Sequence, residues 1–595
     1  MLDLVQLLRV PHVDPHFDLS PIHHKVAFAW NRSGEWQIYE APLPSAPDGL
    51  KGRGEIQLTS APGGKFNPRY SPDGRKLAYV LDPEGRESYH LMIYDLQTKQ
   101  HTDLTPNISH ALQPNFCWSP DGSHLAFLSN ERGHFSTYII SVNGGDARLI
   151  LDTGHPAWQV EWSPDGKHLA VCCELHGQDY GIFIVDLETN EIFDLSLNAH
   201  APQWSADGSK LAFHADPRGW FDIGIFELKS KEVIWLTEGE GDSQEAVFLD
   251  KTTFPSYQVA YLQSKGIFNW IEILDAEGKR KRFQIGKGLH NGIRFTSDKK
   301  RLVTTFSSPY QPSDLWMMEM ECGEFIQITH SMQEELSKEE FALAEEIEYP
   351  GMDGVQVPAL LFRPKQVPAP ALVMVHGGPN WHYSAEWHPL MAYFASRGYV
   401  VLCPNYRGST GYGRAWQYAA RFDLGGVDAR DVAAGAQYLL REGLAFPGKI
   451  AITGRSHGGY LTMMCLTQFP DLWCAGSAIV PFLNWFTCHA RSREDVQHWD
   501  IENMGDPQEN YERWYNASPY FFLDRIRAPV QLICGGNDPR CPAEDSIEAR
   551  DKLLELGKQV EFLLFEDEGH SFLKMENVIA SEVKRAQFLE RYLEA

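Results

Sequence analysis

Gly454-Arg-Ser456-His-Gly458 is a G-x-S-x-G turn, flanked by an apolar run over residues 450–453 and by the helix-favouring residues 460–464. The glycines permit a sharp passage from strand to helix, which lifts the serine hydroxyl out of a sheet and sets it beside a helix N-terminus. A serine hydroxyl becomes a nucleophile only when a base within hydrogen-bond reach takes its proton, so a histidine and an orienting carboxylate are expected downstream in the order Ser, Asp, His. Asp538 follows the apolar run 530–534 through Gly535-Gly-Asn, and His570 follows the run 560–565 in Glu566-Asp-Glu-Gly-His570. Both fall at the carboxyl ends of expected strands, where parallel sheets carry their sites. Asp506, Asp545 and Asp567 compete as the acid, and a structural surface role suits each of them better. The oxyanion formed by attack on a carbonyl needs two fixed donors. His376-Gly-Gly-Pro379 supplies one in the backbone N–H of Gly378, and the residue after the nucleophile, His457, supplies the other. The side chain of His457 is not expected to be the base, because neighbours on a tight turn point apart.

These residues need a scaffold, and the last 265 residues have the pattern of one. From about residue 331 apolar runs alternate with helical segments, at 371–375, 399–402, 449–452, 475–480, 530–533 and 560–565, and two earlier strands expected at 346–349 and 356–363 bring the count to eight. Near-continuous apolar strands separated by helices predict a mostly parallel eight-stranded sheet covered by helices on both faces, an α/β-hydrolase domain over 331–595. The acidic stretch 334–346 that precedes it favours helix.

The N-terminal half repeats itself. Ser-Pro-Asp-Gly followed by a basic or polar residue and an apolar run recurs at Ser71, Ser119 and Ser163, and as Ser-Ala-Asp-Gly at Ser205; weaker copies begin at Ser20, Leu249 and Thr296. The intervals run from 42 to 51 residues, which makes seven units. Asp-Gly closes tight hairpins and the runs between are β-rich, so each unit reads as a four-stranded blade and residues 16–330 as a seven-bladed β-propeller. The turns resemble those of TolB-type propellers and are expected to be structural. Residues 1–15 form an N-terminal segment expected to pack on the hydrolase domain.

Together these motifs, with Pro404-Asn-Tyr-Arg-Gly-Ser-Thr-Gly-Tyr-Gly413 and Gly-Gly-Tyr460, resemble the prolyl oligopeptidase family of serine peptidases, and within it the acylaminoacyl-peptidase branch. The resemblance covers nearly the whole chain. It implies Ser456, Asp538 and His570 as nucleophile, orienter and base, Arg540 as a holder of the substrate's backbone carbonyl, and Trp485 and Phe486 as walls of the pocket for the residue before the scissile bond. It implies hydrolysis of short peptides, with release of an N-terminally blocked or hydrophobic residue and a propeller that filters substrates by size. The family usually has an aromatic residue where this chain has His457, a departure that bears on pocket shape and leaves the backbone donor untouched. A glutamate pair of the kind dipeptidyl-peptidase relatives use for a free amine is not evident; Glu87 is an isolated candidate. A dipeptidyl aminopeptidase, a carboxylesterase built on the same triad, and a non-catalytic propeller interaction protein are the rival readings.

Composition narrows the partners. The 595 residues carry 53 basic and 79 acidic side chains, a formal charge of -26, and such a surface repels nucleic acid and anionic lipid. No run approaches a membrane span and no secretory leader is evident, so the expectation is a cytoplasmic protein that binds neither membrane nor nucleic acid. Ten sparse cysteines, including the vicinal pair Cys172 and Cys173, are expected to be free thiols. No cofactor or metal is expected: Gly443-Leu-Ala-Phe-Pro-Gly-Lys449 mimics a phosphate loop but lacks its Ser/Thr and precedes a strand. Exposed sheet edges leave homo-oligomers open.

Overall fold

A computed structural model describes all residues except 45–53, 108–109, 240, 250–256, 276 and 595. Contacts divide the chain into two units: residues 1–10, 84–86 and 333–595 form one, and residues 11–83 and 87–332 the other.

The second unit consists of seven four-stranded sheets, spanning residues 13–57, 64–103, 112–151, 157–194, 199–235, 243–283 and 289–327. Each is an antiparallel meander of consecutive strands. The first strand of every sheet lies against the first strand of the next, and Leu289–Phe295 of the last sheet meets Val13–Leu19 of the first, which closes the ring. No strand is exchanged at that closure. Val13, Phe17, Phe28 and Trp30 pack with Val303, Leu315 and Met317, and Trp30 Nε1 donates to Ser331 Oγ at 3.1 Å. Fully burying side chains of this size is worth about 1.5–3 kcal/mol each. The first strand starts at Val13, three residues ahead of the expected boundary at 16, so residues 11–15 belong to the ring and only 1–10 group with the hydrolase residues.

The repeated turn has one chemical logic. In the copy at Ser71, Ser71 Oγ donates to Asp73 Oδ1 at 2.6 Å, the N–H of Arg75 donates to the same carboxylate oxygen at 3.1 Å, and Lys76 N–H donates to Ser71 Oγ at 2.9 Å. Ser119 with Asp121, Ser163 with Asp165, Ser205 with Asp207, and Thr296 with Asp298 repeat the hydroxyl-to-carboxylate bond. The residue that follows sits at positive φ, a glycine in four copies (68° in Gly74) and Lys299 in the fifth, at 57°, where a side chain is strained. The weak copy at Leu249 runs into residues outside those described. A second repeat element has no counterpart in the expectations: Thr59, Thr105, Thr237 and Thr329 each accept on Oγ1 from a third-strand N–H of their sheet, at 2.9 Å in all four.

In the other unit the eight strands are β1 Glu345–Pro350, β2 Gln356–Phe362, β3 Ala369–Val375, β4 Val400–Pro404, β5 Ala445–Arg455, β6 Ala475–Ile479, β7 Val530–Gly535 and β8 Val560–Phe565. Their order is β1-β2-β4-β3-β5-β6-β7-β8, with β2 antiparallel to both of its neighbours and the rest parallel. Strands β4, β6 and β7 are buried along their whole length, as a sheet covered on both faces requires. The covering helices form two groups. Leu4–Leu8, Pro389–Ser396 and Met575–Glu594 are linked through mutual contacts, whereas Val427–Arg441 packs on His457–Gln468, and that helix and Ala543–Glu555 both contact the turn Pro519–Arg525. The acidic stretch 334–346 does not make the expected helix: it holds only a short 3₁₀ turn, Lys338–Glu340, and its end pairs with β2 as strand β1. Among the described residues no helix is long and apolar enough to cross a membrane.

Candidate active site

Strand β5 delivers the chain directly into Ser456, whose backbone sits at φ 58° and ψ -124°, a conformation that costs a non-glycine residue of order 1–3 kcal/mol. The glycines around it are dictated by space. A Cβ on Gly458 would collide with the carbonyl oxygen of Val375, one on Gly454 with that of Gly458, and one on Gly459 would lie 2.9 Å from the carbonyl oxygen of Ile479. The first turn of the helix His457–Gln468 is thereby pressed onto the ends of β3 and β6. Ser456 N–H donates to Ile479 O at 2.9 Å and fixes the turn from below.

Asp538 leaves the end of β7 with its side chain fully buried; its Oδ1 accepts the N–H groups of Arg540 at 2.8 Å and Cys541 at 2.9 Å. Its Oδ2 is 2.8 Å from Nδ1 of His570, and Nε2 of His570 is 3.0 Å from Ser456 Oγ. With its hydrogen on Nδ1 the imidazole donates to the carboxylate and leaves Nε2 to accept from the hydroxyl. The three residues lie after β5, β7 and β8, at one edge of the sheet. The loop carrying His570 is pinned twice: Glu568, 1% exposed, accepts from Leu573 N–H at 2.7 Å and Lys574 N–H at 3.1 Å, and Arg455 Nη1 donates to the carbonyl of His570 at 2.6 Å. Glu568, Arg455 and the buried Asp428 were invisible as site residues in sequence. A basic residue directly before the nucleophile was the one available signal.

The His376-Gly-Gly-Pro379 loop lies against Ser456, since a Cβ on Gly377 would stand 3.4 Å from its Cβ. Gly378 takes φ 122°, and a Cβ there would come within 2.6 Å of Asn380 N. His376 anchors the loop: burial pushes its pKa down to about 3, so it stays neutral, with Nε2 2.8 Å from Ser409 Oγ and its ring stacked on Tyr406 at 4.2 Å. The N–H of His457, at the first helical position, has no partner one turn back. Its side chain turns into the core, where Nε2 is 3.1 Å from Asp428 Oδ2 and both side chains are almost wholly buried.

The remaining expected residues are placed unevenly. Arg540 is exposed and directly follows the Asp538-Pro539 pair, with its N–H on Asp538. Trp485 is not a free pocket wall: it is 2% exposed and wedged between Tyr460, Phe482 and Trp514, because those rings fill the space around it. Phe486 is half-buried against Tyr511 and Trp514. Of the competing acids, Asp545 is buried and not on the surface; it accepts from Leu483 N–H, Asn484 N–H and Thr487 Oγ1, which occupies it structurally. Asp567 pairs with Lys574, and Asp506 accepts from Gln508 and Glu509 N–H. Glu87 is buried at φ 53°, its N–H bonded to Asp82 Oδ2. All ten cysteines are free, and Cys322 is the exposed one.

Comparison with known proteins follows the same lines. Residues 381–595 match the model of the prolyl oligopeptidase family, and residues 48–196 that of the TolB beta propeller domain. Over residues 381–595 the chain is similar to the prolyl oligopeptidase family. It is a serine peptidase. The uncharacterized peptidase YuxL of Bacillus subtilis is 24% identical over 89% of this chain and 97% of its own length. Dipeptidyl aminopeptidase BIII of Pseudoxanthomonas mexicana is 25% identical over 88% of this chain and 79% of its own, and the rat acylamino-acid-releasing enzyme 24% identical over 66% and 50%. A puromycin-hydrolyzing peptidase of Mycobacterium tuberculosis shares the fold, with TM-score 0.87 at 21% identity, over 100% of this chain and 96% of the other.

Proposed function

We propose that Ser456, Asp538 and His570 are the catalytic triad of this prolyl oligopeptidase-family enzyme and that it releases a blocked or hydrophobic residue from the N-terminus of short peptides. The observation that carries the reading is the relay itself: 3.0 Å from Ser456 Oγ to His570 Nε2 and 2.8 Å from His570 Nδ1 to Asp538. Ser456 Oγ attacks the scissile carbonyl while His570 Nε2 takes its proton, and Asp538 holds the ring and stabilises the imidazolium. The N–H groups of Gly378 and His457 receive the oxyanion, each worth roughly 3–4 kcal/mol of barrier. His570 then returns the proton to the leaving amine, and water attacks the acyl-enzyme by the same route. Arg540, exposed beside the acid, is assigned to the substrate's backbone carbonyl, and Phe486 to the apolar pocket before the scissile bond; Trp485 supports that pocket from behind. The propeller is assigned the exclusion of long chains.

A dipeptidyl aminopeptidase is the second reading, favoured by the dipeptidyl aminopeptidase BIII relative that aligns over 88% of this chain. The test compares wild type and Ser456→Ala on an N-acetyl amino-acid anilide, a free dipeptidyl anilide and a short-chain nitrophenyl ester. Preference for the acylated anilide, lost in the variant, supports the proposal. Preference for the free dipeptide moves the enzyme to the dipeptidyl reading, and ester turnover alone makes it a carboxylesterase.

A further inference from the structure

Cys541 is the third residue after Asp538 and its thiol is buried beside the proposed relay. One donor atom each from Asp538, Cys541 and His570 lie within 4.8 Å of one another. A carboxylate, a thiol and an imidazole make a donor set that suits zinc or cadmium far better than magnesium or calcium. With bonds of about 2.0 Å to nitrogen and oxygen and about 2.3 Å to sulfur, a tetrahedral ion needs its donors roughly 3.3–3.6 Å apart. Asp538 Oδ2 and His570 Nδ1 stand at 2.8 Å and must open slightly, while the thiol must move in by up to about 1.5 Å, a rotamer-scale adjustment.

We propose that these three side chains form an inhibitory site for a soft divalent cation, with zinc as the natural occupant. The inhibition, though not the binding, rests on the triad assignment above. The ion takes Asp538 Oδ2, Cys541 Sγ and His570 Nδ1, and the fourth position is left to water. Binding balances as follows: the thiol proton goes to solvent, and the imidazole proton leaves Nδ1 and is carried on Nε2. The Nε2–H then faces Ser456 Oγ as a donor, so the nitrogen that should accept the serine proton no longer can. The orienting bond between His570 and Asp538 is lost in the same event. No oxidant or other reactant is involved, and the block is reversed when the ion is removed.

Cys541→Ala tests the assignment, with Cys541→Ser as the second variant should the alanine fold poorly. Zinc chloride is titrated against peptidase activity in wild type, the Cys541 variant and Cys488→Ala, which removes a second buried thiol whose Sγ donates to the carbonyl of Arg540 at 3.7 Å. The expected result is zinc inhibition of wild type and Cys488→Ala, reversal by EDTA, and at least a tenfold weaker effect in the Cys541 variant. Equal zinc sensitivity with and without the Cys541 thiol overturns the proposal. Cadmium chloride is then titrated into Ser456→Ala and into Ser456→Ala with Cys541→Ala, following the ultraviolet thiolate-to-cadmium band. This reports the site with no turnover, so a failure of the triad assignment remains distinguishable from a failure of the site. An extra equivalent of thiolate-bound cadmium that depends on Cys541 is expected. Identical titrations of the two variants, set by the exposed Cys322 alone, refute the site.

Discussion

Arg455 Nη1 donates to the carbonyl oxygen of His570 at 2.6 Å, so the residue immediately before Ser456 holds the backbone of His570. The guanidinium also lies over the ring of Phe572, 5.4 Å from its centroid. Arg455 is a positioning residue: it touches neither the serine oxygen nor the imidazole. A hydrogen bond from a charged donor is worth about 1.5–3 kcal/mol. Arg455→Met is therefore expected to lower kcat by roughly 10–100-fold with KM little changed. Arg455→Lys, which keeps a donor on a shorter reach, restores part of the loss. A change in KM alone would assign the arginine to substrate binding instead.

Ser456 is held in a backbone conformation that a glycine adopts freely. Ser456→Gly should lose peptidase activity by at least about 10⁴-fold, as removal of a triad serine does, yet melt at a higher temperature than wild type. Ser456→Ala loses the activity without the thermal gain. Calorimetry on the three proteins checks the pair of outcomes, and a lower melting point for Ser456→Gly would contradict the strain.

His457 and Asp428 form a buried pair directly beneath the N–H proposed to receive the oxyanion. Removing one partner of such a pair leaves the other's buried polar atom unsatisfied, at a cost of about 1–3 kcal/mol. Asp428→Ala should lower the denaturant midpoint of the hydrolase unit and depress kcat by loosening the N–H of His457. His457→Phe with Asp428→Ala, which removes both polar groups, recovers most of the stability. Urea unfolding followed by fluorescence distinguishes the single from the double variant.

Two sets of carboxylates give the propeller opposite responses to pH. Asp121 and Asp207 are held down at about 2 by hydroxyl and backbone donors of their turns. Their folded pKa lies below the ordinary value of about 3.9, so the stability they add is present above that value and is lost as pH falls towards 2. Asp314, buried among Thr329, Ser331 and Gln327, is pushed the other way, to about 7, by burial. Its contribution is greatest below about 3.9 and declines as pH rises through 7. Thermal melts between pH 4 and 8 should show that decline, and Asp314→Asn should flatten it.

The architecture was legible wherever one residue type does one local job. Ser-Pro-Asp-Gly marks a turn because serine, aspartate and glycine each make a bond or take a φ that the turn needs, and the inner hydrolase strands announce themselves by apolar runs. The Leu/Ile-Thr pairs at Thr59, Thr105, Thr237 and Thr329 repeat just as regularly, but a single threonine in a β-rich chain carries no distinguishing signal. The stretch 334–346 misled because helix propensity there is outweighed by the pairing of β1 with β2, a contact that composition does not encode. At the site, the motif residues were readable by spacing along the strands. Asp428, Arg455 and Glu568 act through partners 29, 115 and 5 residues away, and only the fold brings the first two to those partners. Trp485 shows the converse: an aromatic near a motif looks like a pocket wall until its neighbours are known.

Among the described residues the ring of blades closes by side chains, with Val13 and Phe17 meeting Val303 and Leu315, and residues 1–10 group with residues 333–595. The propeller's two chain ends therefore meet at one seam, and the propeller is an insertion: the hydrolase chain starts, is interrupted by some 320 residues, and resumes. Each blade is its own hydrogen-bonded meander, so blades can be gained or lost in evolution without rewiring any strand pairing. The seam needs only to keep its apolar faces matched.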